Sequence, residues 1–223
     1  MPIVRISGKN VYFAHVPKCA GTAIEFYLEK QFGPLAFRDG QFHRRPQRRR
    51  WTRSSPQHVD AEAMSALFPD GFFDASFAVV RSPVARIVSA FRFQRDIEGT
   101  VGANVSLADW LESVRRKRNT SPWQFDNHTR TMDEIVPQGA RCFRLEDGLD
   151  AVVAWLQGLA GSGHDLPLQI EPRNVLDKRL EFEGKPVRPV VPDQEELALI
   201  AKHYAADYTR FGYDAATGGP LAL

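Results

Sequence analysis

Residues 11–28, VYFAHVPKCAGTAIEFYL, set an apolar run, a short loop carrying Pro17, Lys18, Gly21 and Thr22, and an amphipathic helical pattern in direct succession. That order predicts a strand, a phosphate-sized loop and a helix. It constrains the fold more tightly than any other stretch of the chain. The first N–H groups of a helix lack partners within it and sit at the positive end of its dipole, so an anion there is stabilised by hydrogen bonds and field together. Lys18 and Thr22 add a mobile positive charge and a hydroxyl.

A second unit of the same kind follows. Residues 77–80, FAVV, form a short β-branched apolar run bounded by Arg81-Ser82-Pro83, and Pro83 suits the first turn of a helix. Along that helix Ile87, Val88 and Phe91 make a core-facing stripe, while Arg86, Ser89 and Arg92 are spaced three apart on another side. Arg81, Arg86 and Ser89 form a donor set suited to a phosphate monoester. Residues 140–145 alternate as a strand, a helix is expected over 147–159, and 107–118 read as a surface helix ending in cations. Asp60 is placed to cap a short helix before Pro69, and Leu197, Ile200, Ala201, Tyr204 and Tyr208 predict one C-terminal helix packed on the core. Residues 37–58 read as a basic loop, 121–132 as irregular, and 164–192 as a proline-rich loop. Strands alternating with helices imply a single α/β domain over 1–223, with a central parallel sheet flanked by helices and ligands at the carboxyl ends of the strands. The loops at Pro17 and Arg81 both follow strands, so they are expected to open onto one sheet edge and bind a ligand with two separated anionic groups.

With 223 residues, 43% hydrophobic and 25% charged, the chain can bury one proper core. A net charge of +2 is too small to imply a nucleic-acid partner. Two cysteines, Cys19 and Cys142, make no disulfide framework or zinc spacing. No signal-peptide core or membrane-spanning apolar window is present in the sequence. Together these features lead to the expectation of a cytoplasmic protein that does not span a membrane.

On these residues the chain resembles the sulfotransferases that use 3′-phosphoadenosine 5′-phosphosulfate, in the branch with carbohydrate sulfotransferases and bacterial relatives. PKCAGT resembles their 5′-phosphosulfate loop, and RSPVARIVSAF their 3′-phosphate motif R-x-P-x-x-R-x-x-S-x-[YF]. Weaker echoes lie at His58, DNHTRTM, FRLEDGLDAVVAWL and YAADYTRFGYD. The resemblance implies a P-loop nucleotide-hydrolase-like sulfotransferase fold that needs no metal. It implies that Pro17, Lys18, Cys19, Ala20, Gly21, Thr22 and Ala23 wrap the 5′-phosphosulfate, with Lys18 also catalytic, and that Arg81 and Ser89 hold the 3′-phosphate. Relatives often carry glycine where Ala20 stands, serine or threonine at Ala23, and tyrosine at Phe91.

An acceptor hydroxyl must lose a proton, and histidine is the side chain whose ordinary pKa suits that near neutrality. His58 is the first candidate, at the place where relatives carry a functional histidine; a capping or solvated role is its alternative. His15 reads as a core residue, or alternatively as one pointing at the loop, and His43, His164 and His203 as solvated. His128 and Arg130, with Trp51, are candidates for the acceptor site. The arginine run 44–53 reads as a solvated loop, or alternatively as a surface for an anionic acceptor such as an acidic glycan. Cys19 lacks the Cys–His–Asx pattern of a nucleophile, and Glu146 reads as the partner of an arginine. Two other functions fit the pattern less well: a nucleotide or small-molecule kinase, for which the G-x-x-x-x-G-K-[ST] spacing is missing, and a non-catalytic polyanion-binding protein.

Overall fold

A computed structural model describes residues 2–163 and 166–221. Its sheet runs in the order β1 (Ile3–Ile6), β2 (Lys9–Ala14), β3 (Ala75–Val80), β4 (Arg141–Arg144). The last three strands are parallel, with Phe13 opposite Phe77 and Val80 opposite Arg144. Such strands are covered on both faces, which explains why Val11–Ala14 and Phe77–Val80 are unbroken apolar runs, all buried. Strand β1 was not expected. It pairs antiparallel with β2 through Ser7 and Gly8, whose φ values of 47° and 83° give the backbone of a tight two-residue hairpin. A four-residue strand ahead of a Ser-Gly turn is too short for a periodicity argument to find.

The crossing from β2 to β3 delivers both helices where the pattern predicts them: α1 (Gly21–Phe32) after β2, then α2 (Ala61–Leu67), capped by the Asp60 carboxylate accepting from Ala63 N–H. After β3, α3 (Pro83–Arg92) begins on Pro83 and buries Ile87, Ala90 and Phe91. It runs into a π-helical turn at Phe93–Ile97, a local widening that often marks functional positions. Next come α4 (Leu107–Lys117), which buries Leu107, Trp110, Leu111 and Val114, and the short α5 (Met132–Ile135). After β4 the expected helix starts later than 147: Leu145–Asp147 is a 3-10 turn, Gly148 has φ 82°, and α6 occupies Asp150–Ala160.

Three further expectations are corrected. The proline-rich segment holds a helix, α7 (Leu176–Phe182), anchored by the fully buried Leu180. The basic segment 37–58 is folded into 3-10 turns at Phe42–Arg44, Gln47–Arg49 and Pro56–His58, with Phe42 and Ser55 buried. The single C-terminal helix is two, α8 (Gln194–His203) and α9 (Ala205–Phe211), broken at Tyr204, whose φ of −114° and ψ of 23° leave the helical region and whose buried hydroxyl donates to the Thr129 carbonyl at 3.0 Å. Among the described residues no helix is long and apolar enough to cross a membrane.

Candidate functional site

The loop between β2 and α1 is held in an uncommon backbone. Lys18 and Ala20 have φ 69° and 62°, in the left-handed region where a side chain costs about 1–2 kcal/mol. The position where related proteins favour glycine is thus one that glycine would relieve. Successive N–H groups in such a loop form an anion-binding concavity, and the loop ends on the N-terminus of α1 at Gly21. Gly21 has no room for a side chain, since a Cβ would lie 1.9 Å from His15 Nε2. His15 therefore floors the loop, its Nδ1 2.6 Å from the Glu25 carboxylate. It is buried, as the sequence suggests, and it also lines the cleft.

The Lys18 ammonium lies 4.1 Å over the Phe93 ring, on the π-helical turn. Burial first, then the positive charges of Arg81 and Arg179, push its pKa down to about 8. Arg81 reaches the same loop, with Nη1 3.5 Å from the Lys18 carbonyl. Pro17, Lys18, Ala20, Gly21, Thr22 and Ala23 line one cleft of about 1080 Å³, and so do Arg81, Ser89 and His58. The two strand-end loops do open onto one edge. Cys19 is buried instead, its Sγ 3.7 Å from the Pro17 carbonyl; burial pushes the thiol up to about 12, so it stays protonated near neutrality and is no nucleophile.

Arg86 does not join the donor set. It is fully buried, donating to the His128 carbonyl at 3.2 Å and the Arg130 carbonyl at 2.6 Å, with the Asp207 carboxylate 3.7 Å away. Ser89 and Arg92 remain on the cleft side. Glu146 does not pair with an arginine: it accepts from the Ser82 N–H at 2.8 Å and the Tyr213 hydroxyl at 3.0 Å, pinning the start of α3.

One wall of the cleft carries three imidazoles, with His58 4.7 Å from His15 and 5.2 Å from His128 between ring centres. His58 Nδ1 is 2.8 Å from Asp126 Oδ2. His128 is buried, its Nδ1 3.4 Å from the Gln94 amide, and burial followed by the charge of His58 holds its pKa well below the usual value. His43 is not simply solvated: its Nε2 is 3.0 Å from Asp126, a hydrogen bond that raises its pKa against the effect of burial. His203 is half-buried and its Nε2 is shielded from solvent. His164 lies outside the described residues.

Beyond the histidines the cleft is lined by Phe42, Arg50, Arg53, Trp123 and Phe125, and by Ile170, Pro172, Val175 and Leu176. Nothing in the sequence pattern pointed to 170–176, because its apolar residues lie among prolines without a period. Arg50 is anchored by the Arg45 and His43 carbonyls, and Arg53 stacks on Trp123 at 4.4 Å. Arg44, Arg48 and Arg49 are exposed. Two acceptor-site candidates stand apart from the cleft lining. Trp51 is 97% exposed, and Arg130 is turned to Asp60, Asn127 and Glu134.

Among the described residues, donor atoms of His58, Asp126 and His128 lie within 4.8 Å of one another and could hold a metal ion. A cation there would first have to displace the His58–Asp126 hydrogen bond. Residues 3–146, the whole unit from β1 to β4, match the family model described as Sulfotransferase family. No curated protein and no solved structure matches the chain.

Proposed function

The chain belongs to the sulfotransferase family, and we propose from that premise that it moves a sulfuryl group from 3′-phosphoadenosine 5′-phosphosulfate to the hydroxyl of an acceptor, a carbohydrate or small molecule. The observation that supports this most is the meeting, in one cleft, of the Lys18 loop, the Arg81–Ser89 pair and His58. The donor brings an activated sulfuryl group whose leaving oxygen gains negative charge. The chain's own residues answer each demand of that reaction. Amides of the 17–23 loop and the Lys18 ammonium stabilise the leaving oxygen in a partly dry site, where preorganised donors are most effective. Arg81 and Ser89 hold the distal phosphate and fix the register. His58, with Nδ1 committed to Asp126, offers Nε2 to the acceptor hydroxyl.

Adenosine 3′,5′-bisphosphate, the desulfated donor, tests the reading without an acceptor. At a hundredfold excess over its Kd it should raise Tm by about 5–10 °C for a chain of this size, and Arg81→Ala should abolish most of that shift. A shift with magnesium and ATP, or with heparin, in place of the bisphosphate would overturn the reading.

Lys18 makes binding pH-dependent. Its pKa of about 8 leaves the ammonium charged below pH 8 and neutral above. A bound anion favours the charged form, so binding near pH 8 takes up a fraction of a proton. Affinity should then fall by about tenfold per pH unit above pH 8, the slope of a one-proton linkage. Calorimetry in buffers of different ionisation enthalpy measures the uptake, and an affinity flat from pH 7 to 9.5 would remove Lys18 from the anion site.

A further inference from the structure

Among the described residues, the turn that holds His58 is the only place where three successive non-glycine residues take positive φ. Phe125, Asp126 and Asn127 have φ 50°, 57° and 62°, three successive non-glycine residues in the left-handed region, which L-residues visit singly and at a cost. Strain of this kind persists only where surrounding contacts over-determine it. Here they do. Asp126 Oδ1 accepts from the Ser55 N–H, and its Oδ2 accepts from the Ser55 hydroxyl at 2.8 Å, from His43 Nε2 at 3.0 Å and from His58 Nδ1 at 2.8 Å, with the Asp126 backbone carbonyl a second acceptor 3.1 Å from the same Nδ1. Asn127 donates to the His58 carbonyl at 2.7 Å. The turn thus grips the segment 55–58 at both ends, from almost seventy residues away in sequence.

We propose that Asp126 is a positioning residue for the transfer reaction: it fixes His58 in the tautomer with the proton on Nδ1, leaving the Nε2 lone pair free to accept the acceptor's proton. This rests on the reading of His58 as the base. The donors around the carboxylate make the assignment sharp. The Ser55 N–H is a fixed backbone donor, so it demands an acceptor at the Oδ1 position. The Oδ2 position then faces His58 Nδ1, and a carboxylate oxygen there accepts from Nδ1–H.

The substitution Asp126→Asn turns this into a test. With Ser55 N–H claiming the amide oxygen, the NH₂ group takes the Oδ2 position and donates to His58 Nδ1, which moves the ring proton to Nε2 against the weaker pull of the Asp126 backbone carbonyl, 3.1 Å from Nδ1. The lone pair needed for proton transfer is lost while size and hydrogen-bond count are nearly kept. We expect kcat to fall by about 10²- to 10⁴-fold, the range that general-base catalysis supplies, with the Kd for adenosine 3′,5′-bisphosphate within about twofold of the parent protein. Long-range ¹H–¹⁵N spectra of the imidazoles, at a pH where the rings are neutral, should show His58 protonated on Nδ1 in the parent protein and on Nε2 in Asp126→Asn. A parent spectrum with the proton on Nε2 overturns the proposal without any variant, which covers the case of a variant that does not fold. So does an Asp126→Asn protein whose kcat stays within threefold. If the parent protein transfers no sulfuryl group, the functional reading fails, while the spectra still judge what Asp126 does to His58.

Discussion

Replacing His58 with alanine is expected to lower kcat by about 10²- to 10⁴-fold, because no other group on the cleft wall is equally placed to take the proton. His15 has Nδ1 on Glu25 and its Nε2 pressed against Gly21, so it serves the loop. His128 is buried beside Gln94, and burial holds its pKa too low for efficient proton capture near neutrality. Binding of the bisphosphate should be unchanged within about twofold, since the donor loop and Arg81 are intact. Stability should fall by about 1.5–3 kcal/mol, the scale of a lost hydrogen bond to a charged group, because Asp126 keeps its bonds from Ser55 and His43. Steady-state kinetics with titrations of the bisphosphate separate the two effects. A variant with the parent's kcat would transfer the role of base to His128 or His15.

The second large effect concerns stability. Arg86→Ala is expected to cost about 3–5 kcal/mol, the usual result of removing one partner from a buried ion pair, and to lower Tm by about 6–20 °C. The guanidinium holds the carbonyls of His128 and Arg130 together and faces Asp207. Asp207 in turn accepts the Met132 and Asp133 N–H groups at 3.0 and 2.9 Å, capping α5. Removing Arg86 would leave two carbonyls without their donor and the buried Asp207 carboxylate without its countercharge. Lysine should not rescue it, since a single ammonium cannot reproduce the planar fork. Urea unfolding measures the loss. A cost below 1 kcal/mol with weakened bisphosphate binding would instead return Arg86 to the anion site.

The contrast between Arg81 and Arg86 shows how far sequence reaches. Spacing alone placed both near the second loop, and a helical wheel cannot tell whether an arginine at the edge of an apolar stripe faces solvent or the core. That depends on Asp207 and two carbonyls contributed by distant segments. The parallel strands, the two loops and their common edge were legible because each rests on local pattern: apolar runs, a proline at a helix start, a glycine where no Cβ fits. His58 was legible as a candidate through resemblance, whereas Asp126 was not, because its role depends on a left-handed turn in a stretch without periodicity. The same holds for α7 and for β1, each too short or too interrupted for hydropathy to show. Trp51 illustrates the opposite error: a large aromatic in a basic run suggests a stacking surface, as Trp123 near His128 also does, yet Trp51 is 97% exposed and apart from the cleft lining while Trp123 is part of it.

The halves of the cleft rest on different foundations. The half at Lys18 and Arg81 sits on the ends of β2 and β3, and the β1 hairpin leaves β2 hydrogen-bonded along both of its sides. The other half of the lining, from Phe42 to Arg53 and from Ile170 to Leu176, is supplied by short turns and loops up to the first residue of α7. Selection or a directed library could therefore rewrite the shape and charge of that half without disturbing the register of the sheet, provided Ser55 and Asp126 are left in place. Molecules built this way can diversify in what they accept while keeping one currency of donor.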